Sequence, residues 1–175
     1  MRISVADAAK ELEAKGLLKR TRADHADRII AHVRAQLDLE LPVDLEDFYR
    51  EGISRIGEFQ AVLPLWNDQV GWRPTAIEAS DLLHAQAVPI FLDGAGSLFG
   101  LDLSVGNTTP AVYFFDHEER FKAPQWAAGS SLGTFLLLLA DGDRAHREGW
   151  PPKWELAIDP DIEKCARAPA IWNAG

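Results

Sequence analysis

A single cysteine, Cys165, stands in the 175 residues. A lone thiol excludes an intrachain disulfide and a cysteine-based metal cluster, and it fits a reducing compartment. Bases are scarce, with 18 Lys+Arg against 27 Asp+Glu and a formal net charge of −9. Such a surface repels phosphate backbones and anionic lipids, which argues against nucleic acid and membrane as partners. Long apolar runs are missing as well. The longest, residues 135–140, falls far below the ~20 residues that span a bilayer. Asp7, Lys10 and Glu11 interrupt the stretch that an export signal needs to keep apolar, so the expected location is cytoplasmic. What the chain does have is 47% hydrophobic residues, ample for the core of one compact domain.

Helical spacing accounts for most of the N-terminal third. Val5, Ala8, Ala9 and Leu12 recur on one face before a stop at Gly16, and Ala26, Ile29, Ile30, Val33 and Leu37 form a longer stripe. A third helix opens at Pro42, with Asp44 as its cap, Leu45, Phe48 and Tyr49 facing inward, and Gly52 ending it in a left-handed turn. From Glu58 the texture changes to short apolar runs broken by Pro64, Gly71 and Pro74, read as strands or irregular edges. One helical turn is expected at residues 81–85.

The next block is the most informative. Residues 88–92 read as a strand, 93–96 as a turn, 97–103 as a second strand and 111–115 as a third. The connections are too short for helical crossovers, so the pairing is antiparallel. Phe99, Leu101 and Leu103 point to one face, and Leu98, Gly100 and Asp102 to the other. Val112, Tyr113, Phe114 and Phe115 leave neither face polar, which calls for a cover on the second face, a place for the N-terminal helices. After a loop at Pro124, a serine cap and the set Leu132, Phe135, Leu136 and Leu139 mark a buried helix. The rest, with Trp150, Trp154 and a short helix opening at Asp159-Pro160-Asp161, reads as an extension wrapped over the domain. Trp66 and Trp72 are expected to pack.

Few residues group as chemistry requires. Asp93-Gly94-Ala95-Gly96 leads from strand into strand, where a phosphate site needs a helix N-terminus, so Asp93, Gly94 and Gly96 are assigned to a hairpin turn that Asp93 braces. Asp116, His117, Glu118 and Glu119 close the third strand, and with Asp102 they would allow a metal-assisted hydrolase using Asp102, Asp116 and His117. No second histidine follows at ligand spacing, and a turn with solvated carboxylates is the preferred reading. Cys165 has no histidine beside it to activate it. No cofactor, metal or catalytic residue is assigned. Two surface features remain: the acids Asp38, Glu40, Asp44, Glu46, Asp47 and Glu51 with only Arg50 among them, and six tryptophans. A binder of a cationic partner displays such an acidic face, which Asp116, Glu118 and Glu119 extend.

Residues 41–139 resemble the SUKH superfamily, which includes bacterial immunity proteins and Knr-type fungal regulators. The resemblance lies in Leu41-Pro42-x-Asp44-Leu45-x-x-Phe48, in Val88-Pro89-Ile90 leading to Asp93-Gly94-Ala95-Gly96, and in Leu101-Asp102-Leu103. Val112-Tyr113-Phe114-Phe115-Asp116-His117-Glu118 and the helix of residues 131–139 complete it. Gly52 and Gly57 stand apart where the family often has paired glycines. The resemblance implies an α+β fold, a twisted antiparallel sheet flanked by N-terminal and C-terminal helices. It further implies a protein-binding module that neutralises a toxin domain, often a nuclease; the alternative is an intracellular regulatory adaptor. The domain then divides into a helical extension (1–40), an α+β core (41–140) and a C-terminal extension (141–175). A basic toxin domain suits the acidic surface, since charge complementarity speeds association.

Overall fold

The computed structural model describes residues 3–21, 26–38, 40–62, 65–67, 71–73, 86–104, 109–170 and 172. Helix α1 (Val5–Ala14) starts at Ser4, whose hydroxyl accepts the Asp7 amide at 3.1 Å, and its Val5, Ala8, Ala9 and Leu12 face is fully buried. A short strand β1 (Leu18–Arg20) follows, then α2 (Ala26–Leu37) and α3 (Val43–Arg50). The expected stripes hold: Ile29, Ile30 and Val33 of α2 and Leu45, Phe48 and Tyr49 of α3 are buried. Asp44 is not the cap of α3. Pro42 takes that position with extended backbone, its carbonyl accepting the amides of Leu45 and Glu46, so Asp44 falls inside the first turn, where it is buried. A carboxylate in a first turn is favoured there by the helix dipole. Gly52 ends the segment with φ +62°, as expected.

The remaining strands are β2 (Ile53–Ile56), β3 (Phe59–Ala61), β4 (Leu65–Asn67), β5 (Gly71–Arg73), β6 (Ala87–Leu92), β7 (Leu98–Asp102), β8 (Val112–Phe115) and β9 (Trp126–Gly129). Six of them join β1 in a seven-stranded antiparallel sheet of order β1-β2-β3-β6-β7-β8-β9, and β4 pairs with β5 apart from it. The fold is therefore α+β with flanking helices, and β6, β7 and β8 pair antiparallel as the short connections require. The helical turn at 81–85 lies outside the described residues, as do the side chains of Trp66 and Trp72, which are backbone partners across β4 and β5. Helix α4 (Leu132–Glu148) begins with a reciprocal capping box between Ser131 and Thr134 and runs past residue 140 to a left-handed Gly149. Among the described residues no helix is long and apolar enough to cross a membrane.

Both faces of the sheet are buried, each by a different part of the chain. On the first, Phe91, Phe99, Leu101 and Val112 pack with α1, α2, α3 and the Phe135, Leu136 and Leu139 side of α4. On the second, Leu98, Tyr113 and Phe115 pack with Leu138 and Ala145 of α4 and with Trp154 and Ile162 of the C-terminal segment. The N-terminal helices thus cover the first face. The cover of the second is the C-terminal segment, which contains 3-10 turns at Trp154–Ala157 and Ile162–Lys164. That segment also shields the β9 edge: Ala127 bridges to Ala170, its amide donates to the Pro169 carbonyl, and the Trp172 ring stands edge-on to Trp126 at 5.1 Å. At the join of β9 and α4, a Cβ on Gly129 would lie 2.7 Å from Cβ of Phe135, so only glycine admits that approach.

The turn between β6 and β7 takes the form the sequence implies. One carboxylate oxygen of Asp93 accepts the amides of Ala95, Gly96 and Ser97 at 2.8, 3.0 and 2.9 Å, and Gly96 has φ +107°. A β-branched residue is strained at that angle. Gly96→Val is expected to destabilise the protein by more than ~1 kcal/mol, read as a lower melting temperature in thermal denaturation.

Candidate functional site

The acids of the third helix lie among arginines. Glu46 is buried, bonded to Arg34 of α2 and to Arg50 at 2.8 Å, and Asp47 also meets Arg50 at 3.3 Å. Glu51 meets Arg20 of β1 at 2.5 Å, and Glu40, almost wholly exposed, meets Arg34 at 3.6 Å. Asp38 has φ +51° at the end of α2, and Asp44 is buried. The acidic run is therefore compensated from other elements. Arg50 was visible at helical i+4 spacing from Glu46; Arg20 and Arg34 are brought in by the fold, and no sequence spacing announces them.

Asp116, Glu118 and Glu119 present a different picture. They sit in the turn that follows β8, where Asp116 accepts the Glu118 amide at 2.8 Å and Glu118 and Glu119 are exposed with no ion pair among the described residues. His117 Nδ1 lies 2.9 Å from the Ser97 hydroxyl and 3.6 Å from Asp116. Serine and carboxylate thus share one ring nitrogen, whereas a relay needs them on opposite nitrogens. The backbone is unusual just beyond, for Arg120 and Phe121 have φ +55° and +54° in succession. Asp102 is not in this group. It ends β7 while Ser97, beside His117, precedes it, a separation of about 17 Å at the rise of an extended strand. The metal-assisted trio of Asp102, Asp116 and His117 is therefore not assembled.

Asp102 belongs to a polar cleft of about 620 Å³ between the far ends of β7 and β8, the start of α4 and the C-terminal segment. Its carboxylate, 3% exposed, takes the Arg167 guanidinium at 3.0 Å together with the amide and hydroxyl of Ser104. Arg167 also lies 5.9 Å from the Tyr113 ring centre, and its amide donates to the Tyr113 hydroxyl. Opposite, Asp159 is wholly buried and accepts from the Ser130 amide and hydroxyl, both at 2.6 Å, and from the Thr134 hydroxyl at 2.9 Å. Cys165 lines the same cleft, and burial, then the charge of Asp159, push its thiol up to about 11. Burial likewise raises the Tyr113 phenol. These groups fasten the C-terminal segment to the sheet and to α4. Arg167 and Asp159 escaped notice in the sequence because neither carries a local motif. The nearest signal was the pair of acids flanking Pro160.

A model of the SMI1 / KNR4 family (SUKH-1) matches residues 26–137. The match begins at α2, earlier than residue 41, and leaves out α1, β1 and the C-terminal segment. No curated protein and no solved structure matches the chain.

Two outcomes follow from the cleft. Arg167→Ala leaves a buried carboxylate without its cation and is expected to cost about 2–3 kcal/mol, below the full penalty of a dry ion pair because the guanidinium is partly solvated; urea denaturation measures it. With its thiol raised to about 11, Cys165 stays protonated until the pH approaches that value. At pH 8 its labelling by a thiol reagent is expected to be about 100-fold slower than that of glutathione, accelerating as the pH rises toward 11.

Proposed function

Because the chain belongs to the SMI1 / KNR4 family (SUKH-1), we propose that it is a protein-binding module of the immunity type, which neutralises a toxin domain by direct contact. One observation carries this reading beyond the family. The buried ionic groups Glu46, Asp102 and Asp159 are each committed to internal partners, whereas Glu118 and Glu119 reach solvent and form no ion pair among the described residues. Groups spent on holding the fold together do not offer a nucleophile or a base to a substrate. Exposed carboxylates on a rigid turn suit recognition instead.

The partner we favour is a basic domain, such as a nuclease, and the contact face is the turn carrying Asp116, Glu118 and Glu119. This turn is anchored from behind by the Ser97–His117 hydrogen bond and by Phe121, which packs against the second face of the sheet. Anchoring lowers the entropy lost on docking. The α3 acids Glu46, Asp47 and Glu51 contribute less, since Arg20, Arg34 and Arg50 already neutralise them. Asp38, Glu40 and Asp44 complete the acidic set, and of these Asp38 and Glu40 are exposed while Asp44 is buried.

The test is co-expression with any toxin domain that a neighbouring gene encodes. The wild-type chain is expected to restore growth and to co-purify with that domain, and failure of both sinks the reading. Glu118→Lys with Glu119→Lys is expected to slow association at least tenfold at low salt while leaving the melting temperature unchanged, because neither side chain forms an ion pair among the described residues. Surface plasmon resonance with the wild-type and variant chains measures the difference.

A further inference from the structure

Beyond Arg167 the chain leaves the polar cleft and lies along β9, the last strand of the sheet. The attachment is slight. Ala127 forms an isolated parallel bridge with Ala170 and gives its amide to the Pro169 carbonyl at 2.8 Å, and Pro169 has no amide to return. Residues 168–170 are alanine, proline and alanine, so no side chain among them can form a hydrogen bond.

Trp172 is the anchor. Its Nε1 donates to the Ala128 carbonyl at 3.1 Å, and its ring stands edge-on to Trp126 at 5.1 Å and to Trp154 at 6.0 Å. Gly142 of α4 completes the seat, for a Cβ there would lie 2.7 Å from the Trp172 ring. Glycine is a poor residue for a helix interior, and here its bare face admits the indole. Edge and seat together fit one chemistry: a small-residue extended segment with a tryptophan two positions past the residue bridged to Ala127.

We propose that the β9 edge and the Gly142 seat form a docking site for an extended, tryptophan-bearing segment of a protein partner, which residues 168–172 of the chain itself occupy until the partner displaces them. A sheet edge holds an added strand by main-chain hydrogen bonds and takes its specificity from a side-chain seat beside it. The resident segment displays both. Its release does not disturb the cleft, because Arg167 on Asp102 and the Ser130 and Thr134 bonds to Asp159 all involve residues before 168. A tethered occupant competes at the effective concentration set by its short link, so affinity for an outside segment is reduced by the fraction of molecules whose seat is open. The site uses none of Asp116, Glu118 and Glu119 and does not rest on the immunity reading.

The probe is a fluorescein-labelled Ala-Pro-Ala-Ile-Trp-Asn amide, the sequence of residues 168–173, titrated with full chains and followed by anisotropy. Trp172→Ala is expected to bind it at least tenfold more tightly than the unaltered chain does, because the resident anchor is gone. A control peptide with alanine for tryptophan is expected to bind that variant at least tenfold more weakly, and adding Gly142→Ala is expected to abolish the gain, since its Cβ fills the seat. Equal affinity of the Trp172→Ala and unaltered chains overturns the proposal, as does a gain that survives either control. Because Trp172→Ala removes a packed ring and can impair folding, hydrogen exchange in the unaltered chain gives a second measure. The Ala127 amide, bonded to the Pro169 carbonyl, is expected to exchange at least tenfold faster than the amides of Phe99 and Leu101 in β7. Exchange at the same rate means that the segment lifts only when the whole sheet opens, and it overturns the proposal. So does concentration-dependent dimerisation of the unaltered chain that slows exchange at Ala127, which gives the edge to a second copy of this chain.

Discussion

Strand β7 has water on neither face, and every residue from Leu98 to Asp102 is buried. A strand in that position needs a cover on both sides, and it must find a partner for any polar side chain it carries. Both requirements shape the molecule. The helices α1, α2 and α3 close one side, while the segment after α4 closes the other with Trp154 and Ile162. The single charged residue of the strand, Asp102, is matched by Arg167, more than sixty positions later in the chain.

The C-terminal segment is thus structural in the strict sense that buried charge depends on it. Arg167 neutralises Asp102, and Asp159 gathers the Ser130 and Thr134 donors at the start of α4. A buried carboxylate satisfied by hydroxyl and amide donors at a helix N-terminus is stabilised without a counter-ion. The same segment hides an edge of the sheet, pairing Ala127 with Ala170 and setting Trp172 edge-on against Trp126. At the opposite edge, β1 carries Lys19 and Arg20 exposed, a charge pattern that discourages pairing with another chain. The family match ends at residue 137, so this cover is built by residues beyond it.

Much of the fold was legible because local patterns and tertiary demands agree. The stripes of α1 and α2, the serine cap of α4 and the 93–96 turn need only periodicity and the backbone freedom of glycine, and each forms as read. Strands β1, β2 and β9 were missed, since three or four residues such as Leu18-Lys19-Arg20 carry no alternation to recognise. Asp44 was misassigned because Pro42 can begin a helix as well as precede one, and the extra residue moves the carboxylate from the cap into the first turn. For the site, the acids of α3 were visible but their neutralisation was not: Glu46 meets Arg34 across two helices.

The class of fold, the antiparallel pairing of β6, β7 and β8, and the absence of an intrachain disulfide follow from the order of residues alone. Short connections, alternation and a single cysteine are local properties that no packing can reverse. Which part of the chain covers each face, which acids are spent on internal pairs, and that Asp102 stands a strand's length from His117 emerge on folding. Those outcomes depend on residues far apart in sequence meeting in space, and a chain of letters records their order but not their distance.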